Sequence, residues 1–124
     1  GKYVRDYVYG PDVAAANLAA IELNDDHFSQ RKVVCLNIGT GIGTDVNELE
    51  KKLRIHIEMF HEFSRERIIL LKPEYGPERV GDLRSNLLDA SLANNVLNWK
   101  PTHSLDEGLA ATARWFFERE DALQ

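Results

Sequence analysis

Apolar and polar positions along the chain fall into short continuous apolar runs and longer stretches with helical spacing. Residues 3–9 are rich in β-branched and aromatic side chains, which favours a first strand. Residues 33–38 form a continuous apolar run, typical of a strand buried on both faces, and residues 68–71 (Ile-Ile-Leu-Leu) predict a further strand. The pattern therefore predicts three strands.

Helical spacing and capping signals predict about four helices. Gly10-Pro11 ends the first strand, and Asp12 stands at an N-cap position before an alanine-rich helix. Asp45 and Glu48 have capping-box spacing at the start of a second helix. Its predicted apolar stripe consists of Val46, Leu49, Leu53, Ile57 and Phe60.

Two further helices are predicted after residue 88. Asp89 can cap a short helix that Pro101 terminates, and Ser104 with Glu107 forms a second capping box. The predicted inward positions of the last helix are Leu105, Leu109, Ala113, Phe116 and Phe117, and the outward ones are Arg114, Glu118 and Arg119. The element order is α/β, with a sheet too small to be complete.

Composition narrows the functional classes. The chain has 124 residues, of which 44% are hydrophobic, which predicts one globular domain. Its net charge is −5 and its acidic residues are dispersed, which argues against a surface that binds nucleic acid or an anionic membrane. No apolar run reaches the ~20 residues of a membrane span. Cys35, the single cysteine, lies in the 33–38 run, so we expect a buried small hydrophobe and a reducing compartment.

Two common kinds of site find no support in the residue spacing. Glycines at 39, 41 and 43 follow a predicted strand, but Thr44 stands where a dinucleotide fingerprint needs glycine, so we interpret this segment as a tight strand-to-helix turn. His56 and His61 are five residues apart, which places them on different helix faces. The spacing predicts no metal site.

The loop at residues 76–84 holds the most distinctive candidate chemistry. Pro77 and Gly81 restrict or widen the backbone angles of this loop. Arg79 lies between these two residues, and Asp82 directly follows Gly81. If Arg5 of the first strand converges with Arg79, the pair would clamp a phosphate or diphosphate, and a carboxylate nearby could accept from a ribose hydroxyl. The alternative is a solvated surface turn in which Arg5 pairs with its neighbour Asp6, and Arg79 with its neighbour Glu78.

Four motifs in order resemble a known family over essentially the whole chain. Residues 5–14 resemble the R-D-Y-V-Y-V-x-D-V-A segment of extended short-chain dehydrogenase/reductases that act on nucleotide sugars, and residues 37–41 resemble their N-I-G-T-G turn. Residues 79–82, followed by 89–91 and 99–101, are similar to the block R-P-G-D…D-A-S…G-W-K-P, with Val80 in place of proline and Asn98 in place of glycine. Residues 104–109 match S-L-x-E-G-L. UDP-glucose 4-epimerase and its relatives resemble the chain most.

The resemblance implies the C-terminal, nucleotide-sugar-binding portion of such an enzyme, comprising residues 1–124. By motif position, Arg5 and Arg79 would hold the diphosphate of a UDP-sugar and Asp82 the uridine ribose. Tyr7 would line the uridine side, and Asn86 would face the hexose. A nucleotide-sugar dehydratase or decarboxylase, and a non-catalytic nucleotide-diphosphate-binding module, remain alternatives.

The resemblance also implies what these residues do not supply. The family binds NAD through a Rossmann domain and uses a catalytic Tyr-x-x-x-Lys, and neither is found in this sequence. We therefore expect the isolated chain to be inactive, with NAD bound mainly by a preceding domain of a cytoplasmic protein. Apolar surface that would pack on that domain leads us to expect self-association or a swapped dimer.

Overall fold

The computed structural model describes residues 1–23, 33–60 and 72–120. These residues form a small α/β unit with four helices and a three-stranded sheet, which confirms the predicted fold class, although two of the three strands lie outside the predicted spans. The strands are β1 (Val4–Asp6), β2 (Gly43–Asp45) and β3 (Ser85–Asn86). The helices are α1 (Gly10–Ile21), α2 (Val46–Phe60), α3 (Ser91–Leu97) and α4 (Leu105–Glu120).

Strand β1 is the centre of the sheet. It pairs antiparallel with β2, where Arg5 lies opposite Thr44, and parallel with β3, where Arg5 lies opposite Asn86. Strand β1 is shorter than the predicted span of residues 3–9. The sheet brings three distant parts of the chain together around Arg5.

Both predicted capping boxes lie at helix starts, and the one at Ser104 has the reciprocal bonds. Asp45 accepts a hydrogen bond from the amide of Glu48 at 2.9 Å, at the start of α2. At the start of α4, the Glu107 amide donates to Ser104 Oγ at 3.3 Å, and the Ser104 amide donates back to Glu107 Oε2 at 2.7 Å. Before α3, Asp89 accepts from the Ser91 amide at 2.9 Å, although the N-cap residue is Ala90.

The prediction that Asp12 caps α1 is wrong. The helix begins at Gly10, with Pro11 in its first turn and Tyr9 at the N-cap, and Tyr9 makes no capping hydrogen bond through its side chain. Asp12 lies inside the first turn and is only 3% exposed. Its carboxylate is used for a contact with the segment before α4 that no local pattern reveals.

The buried carboxylate of Asp12 forms a junction with Thr102 and His103, which are themselves exposed. Thr102 donates to the carboxylate through its amide at 3.2 Å and its hydroxyl at 2.6 Å. The His103 amide lies 3.1 Å from Oδ2, and its Nδ1 lies 2.9 Å from Oδ1. Burial raises the pKa of Asp12, but the hydrogen bonds from Thr102 and His103 together outweigh it and leave the pKa below its ordinary value.

The apolar core lies between α1 and α3. Ala16, Ala93, Leu97 and Trp99 are buried together. The indole of Trp99 donates to the carbonyl of Asp12 at 2.8 Å, which ties the core to the junction around Asp12. Asn98 ends α3 in the left-handed region with a φ of 51°. This geometry explains why the related family favours glycine there and why asparagine is an acceptable substitute.

Helix α4 packs on α2 through contacts that include an ionic group at its first turn. Lys52 Nζ lies 2.6 Å from Asp106 Oδ2, and His56 Nε2 lies 3.6 Å from Oδ1 of the same carboxylate. The hydrogen bond from Lys52 lowers the pKa of Asp106, and the same bond raises the pKa of Lys52. Because Asp106 is half exposed, we expect the pair to add little stability.

Several burial predictions are wrong. Residues 33–38 form no strand, Val33 is 75% exposed, and Cys35 is exposed. No described strand pairs with this run. Leu36 and Ile38 pack against the core, but the run is not covered on both sides. Phe116, predicted to face inward, is 60% exposed, whereas Ala113 is buried. The predicted strand at 68–71 lies outside the described residues.

Candidate functional site

A cleft of about 880 Å³ lies between β1, the first turn of α2 and the segment of residues 72–84, which we call the 72–84 loop. The lining includes Arg5, Arg79 and Asp82, three of the five residues predicted to bind the ligand. The remaining charged lining residues are Lys2, Glu78 and Arg84. Four cations and two carboxylates therefore line a cleft in a chain whose total charge is −5. Such a local excess of positive charge favours an anionic ligand.

The guanidinium of Arg5 is held by three acceptors. Its Nη2 donates to Asp82 Oδ1 at 2.8 Å, and its Nη1 donates to the carbonyl of Leu83 at 2.7 Å and to that of Val4 at 2.8 Å. The alternative pairing of Arg5 with Asp6 is wrong. These contacts fix the direction of the guanidinium, and the ion pair stays open to solvent, with side-chain exposures of 28% for Arg5 and 36% for Asp82.

Arg79 begins a tight turn that ends at Asp82. The Asp82 amide lies 3.3 Å from the Arg79 carbonyl, and Gly81 has a φ of 84°, which are features of a type II turn. The exposed side chain of Arg79 forms no hydrogen bond or ion pair with the residues that the structure describes, so its predicted alternative partner, Glu78, is wrong. Its donors are available to a ligand.

Glu78 instead faces Tyr3 of the segment before β1. The Tyr3 hydroxyl donates to Glu78 Oε1 at 2.9 Å, and Arg84 Nη2 lies 3.6 Å from the same oxygen. The Arg5 guanidinium also lies over the Tyr3 ring, 5.7 Å from its centroid. Removal from solvent and the hydrogen bond to Glu78 raise the pKa of Tyr3, so the phenol is a donor at neutral pH.

The sequence prediction missed Tyr3, Glu78 and Arg84 as cleft residues. One signal for Tyr3 was present, because positions 3 and 5 alternate with position 4 along a strand and therefore face the same side. No comparable signal exists for Glu78 and Arg84, whose placement depends on how the 72–84 loop folds back on β1. That path is a tertiary property.

Tyr7 and Asn86, the other two predicted binding residues, do not line the cleft. Asn86 lies beside it, because it is the register partner of Arg5 in the β1–β3 pair, and it is exposed. Tyr7 follows the end of β1 and is half-buried. The described structure thus gathers three predicted residues, places a fourth next to them and leaves Tyr7 apart.

The glycine turn at residues 39–41 is occupied by Asp6. The Thr40 amide donates to Asp6 Oδ1 at 2.8 Å and the Gly41 amide donates to Oδ2 at 2.8 Å, while the Thr40 hydroxyl adds a third bond at 2.5 Å. Burial raises the pKa of Asp6, but these bonds and one from the Leu88 amide lower it below its ordinary value. A Cβ on Gly39 would lie 2.7 Å from Asp6 Oδ2, so this approach requires glycine.

The donors that a dinucleotide pyrophosphate would need at this turn therefore already bind a carboxylate. The arrangement does not fit NAD at this position. The segment is a turn, as interpreted, but residues 33–38 directly before it form no strand, and it leads into β2 before α2 begins. Among residues 1–23, 33–60 and 72–120, no group of three His, Cys, Asp or Glu side chains could hold a metal ion. None of the helices in these ranges is long and apolar enough to cross a membrane.

Comparison with known proteins gives several significant relatives, although no family model matches the chain. UDP-glucose 4-epimerase of Mycolicibacterium smegmatis is 34% identical over 116 residues, which is 94% of this chain and 32% of that protein. UDP-glucose 4-epimerase of Thermotoga maritima, solved with UDP-glucose, has a TM-score of 0.72 and 41% identity over 96% of this chain and 33% of its own. The Bifidobacterium longum enzyme, solved with NAD+ and UDP, has a TM-score of 0.74 and 28% identity over 96% of this chain and 31% of its own.

Fold and sequence together place the chain in a class. It has the fold of the C-terminal part of extended short-chain dehydrogenase/reductases. Within that class, its sequence and fold are similar to the C-terminal part of UDP-glucose 4-epimerases. The chain spans about a third of the length of the relatives that it matches.

Proposed function

We propose that this chain is the UDP-sugar-binding part of an NAD-dependent, UDP-glucose 4-epimerase-like enzyme. The observation that carries the proposal is the cleft in which Arg5 and Arg79 come together from different parts of the chain. The relatives support the ligand class, because one was solved with UDP-glucose and another with NAD+ and UDP.

Arg5 and Arg79 have complementary roles in this proposal. Arg5 is oriented by two carbonyls and Asp82, and Arg79 has no partner among the described residues, so a diphosphate can take both without breaking the fold. A diphosphate that binds Arg5 would replace Asp82 as its ionic partner. The freed Asp82 carboxylate could then accept from a ribose hydroxyl.

The sugar and uridine sides are assigned by the resemblance. Asn86 is proposed to face the hexose, and its position opposite Arg5 in the sheet agrees with a site that continues from the diphosphate. Tyr7 is proposed to line the uridine side. Because Tyr7 lies outside the cleft lining, its role requires a surface completed by residues beyond those described here.

Hydride transfer is not assigned to this chain. None of the 124 residues forms a Tyr-x-x-x-Lys pair, and the amides of the turn at 39–41 are bound to Asp6. We therefore propose that a separate Rossmann domain binds NAD and oxidises the sugar, and that residues 1–124 alone bind without catalysis. The Rossmann domain and the UDP-sugar are the proposed partners.

We also propose self-association and a cytoplasmic location for this chain. Large apolar side chains are exposed on α1 and at the start of α3, namely Leu18, Ile21 and Leu92. Such surface favours a further contact, either with the cofactor domain or with a second copy. The cytoplasmic assignment rests on the free cysteine and on the absence of a membrane-spanning helix among the described ones.

The proposal is tested by titrating the chain with UDP and with UMP, followed by NMR chemical shifts because binding will be weak. We expect UDP to bind more tightly than UMP. We expect Arg79→Ala to weaken UDP binding about 10- to 100-fold, the loss of a charge-assisted hydrogen bond. The variant should bind UMP almost as the wild type does, because UMP lacks the second phosphate.

A matched control is Lys51→Ala, which removes one exposed cation outside the cleft lining. It should leave the affinity for UDP unchanged. Equal loss in Lys51→Ala and Arg79→Ala would show that only the net charge matters. An Arg79→Ala variant that bound UDP like the wild type would remove the diphosphate clamp.

A further inference from the structure

The 72–84 loop, which carries Arg79, is fastened to the rest of the described chain near its start, in its middle and at its end. Near its start, the Tyr75 hydroxyl donates to Asn47 Oδ1 at 3.2 Å. At its end, the Val4 amide donates to the Arg84 carbonyl at 2.8 Å, next to the contacts of Arg5. Between these two points, the bond between Tyr3 and Glu78 is the only hydrogen bond that joins residues 76–81 to described residues outside the loop.

Tyr3 and Arg5 act on the loop from the same side of β1. Tyr3 reaches Glu78, one residue before Arg79, and Arg5 reaches Asp82, three residues after it. Arg79 is therefore bracketed by two contacts, one to β1 and one to the residue just before it. The contact between Arg84 and Glu78 is weaker, since it is 3.6 Å long and both side chains are mostly exposed.

An anionic ligand would affect the contacts Tyr3–Glu78 and Arg5–Asp82 differently. An anion bound to Arg5 competes with Asp82 for the same guanidinium. The phenol of Tyr3 is uncharged and donates to a carboxylate, so an anionic ligand does not compete for Glu78. The contact at Tyr3 can persist while the one at Arg5 is exchanged.

We infer that Glu78 is a positioning residue, which Tyr3 holds so that Arg79 faces the cleft and stays there when Arg5 turns from Asp82 to a nucleoside diphosphate. The inference rests on the proposed function for the identity of the ligand. It adds a specific role for two residues that the resemblance to the epimerases did not assign. Neither residue is expected to contact the diphosphate.

The first test measures amide hydrogen exchange of the 124-residue chain without ligand. Tyr3→Phe removes one hydroxyl and keeps the ring under Arg5. We expect exchange to rise about threefold to tenfold at the amides of residues 78–81, the effect of losing one partly exposed hydrogen bond, and to stay unchanged in α1. Unchanged exchange in the loop would overturn the inference by itself.

The second test is a double-mutant cycle on UDP affinity. Tyr3→Phe and Glu78→Ala should each weaken UDP binding about threefold to tenfold, and the double variant should be no weaker than either single one, because both remove the same bond. Glu78→Gln keeps an acceptor for Tyr3 and should recover most of the affinity. Additive losses, or a Glu78→Gln variant as weak as Glu78→Ala, would assign the effect to charge and overturn positioning.

Tyr9→Phe is the control, since it removes a hydroxyl outside the cleft and should leave UDP affinity and loop exchange unchanged. Failure of the inference can be separated from failure of the proposed function. If Arg79→Ala weakens UDP binding and Tyr3→Phe does not, the cleft binds UDP and the positioning role is wrong. If the wild-type chain binds no UDP, the proposed function fails and the positioning role fails with it, whatever the exchange shows.

Discussion

Asp12 and Asp82 are both carboxylates that contact a basic side chain far away in sequence, but their surroundings differ. Asp12 is 3% exposed and accepts from the amides and side chains of Thr102 and His103. Asp82 is 36% exposed at its side chain and accepts from Arg5 through one oxygen. The first carboxylate has its acceptor sites filled by the chain, and the second has acceptor capacity left.

The difference indicates that Asp12 stabilises the fold, whereas Asp82 belongs to the candidate ligand site. A buried carboxylate with four donors is costly to leave unpaired, so the junction around Asp12 fixes α1 against the segment before α4. An exposed ion pair contributes little to stability and exchanges readily with solvent or ligand. The Arg5–Asp82 pair can therefore open for a ligand while the junction at Asp12 keeps the fold.

The largest effect is expected at the junction around the buried carboxylate of Asp12. Asp12→Asn replaces an acceptor oxygen by an NH2 group that faces the donors of Thr102 and His103. We expect the free energy of unfolding to fall by about 2–3 kcal/mol, measured by urea denaturation. The matched change Asp82→Asn should lower it by less than about 1 kcal/mol. Equal losses in the two variants would erase the distinction between scaffold and site.

The dependence of the unfolding free energy on acidic pH should also reflect the burial of Asp12. The pKa of Asp12 is lowered in the folded state, so its stabilising contribution is present above the unfolded value of about 4 and is lost as the pH falls through the folded value. We expect the unfolding free energy of the wild type to drop below about pH 4. Asp12→Asn should show a shallower drop from pH 5 to pH 2, and an unchanged slope would contradict the assignment.

The smallest effect is expected in the turn that carries Arg79. Gly81 has a φ of 84° in a turn with the features of type II, whose second position favours proline, and Val80 occupies that position fully exposed. Val80→Pro should raise the unfolding free energy by about 0.4–1 kcal/mol by restricting the unfolded chain. Val80→Ala, which leaves φ free, should leave stability unchanged. Destabilisation by proline, seen in thermal unfolding, would argue against the turn type.

Local signals predicted the helices well. The capping boxes at Asp45 and Ser104 set the starts of α2 and α4, because both partners of each box lie three residues apart in sequence. The apolar run at 33–38 predicted a strand that is not there, since a doubly buried strand depends on neighbours that the described chain does not provide. The prediction that Asp12 caps α1 was wrong for a related reason, because the hydrogen-bond partners of its carboxylate lie about 90 residues away in sequence.

The candidate site was predicted only in part. Arg5, Arg79 and Asp82 were singled out from the residues of the first strand and the loop, and the resemblance to the epimerases gave each a role. The described structure brings them to one cleft. The ionic pairs within it were not predicted correctly, because sequence neighbours were the only partners available to that reasoning. Tyr3 and Glu78 are 75 residues apart, so their contact depends on the path of the 72–84 loop.

The bond between Asp6 and the turn at 39–41 has a consequence for where a phosphate can go. The carboxylate is covalently part of the chain, so its effective concentration at those amides can reach the millimolar range or higher, and it acts as a permanent internal competitor. A free phosphate would have to displace an anion that cannot diffuse away. The second anion site that the glycines suggest is therefore closed by the protein itself, and a phosphate ligand is directed to the arginines of the cleft.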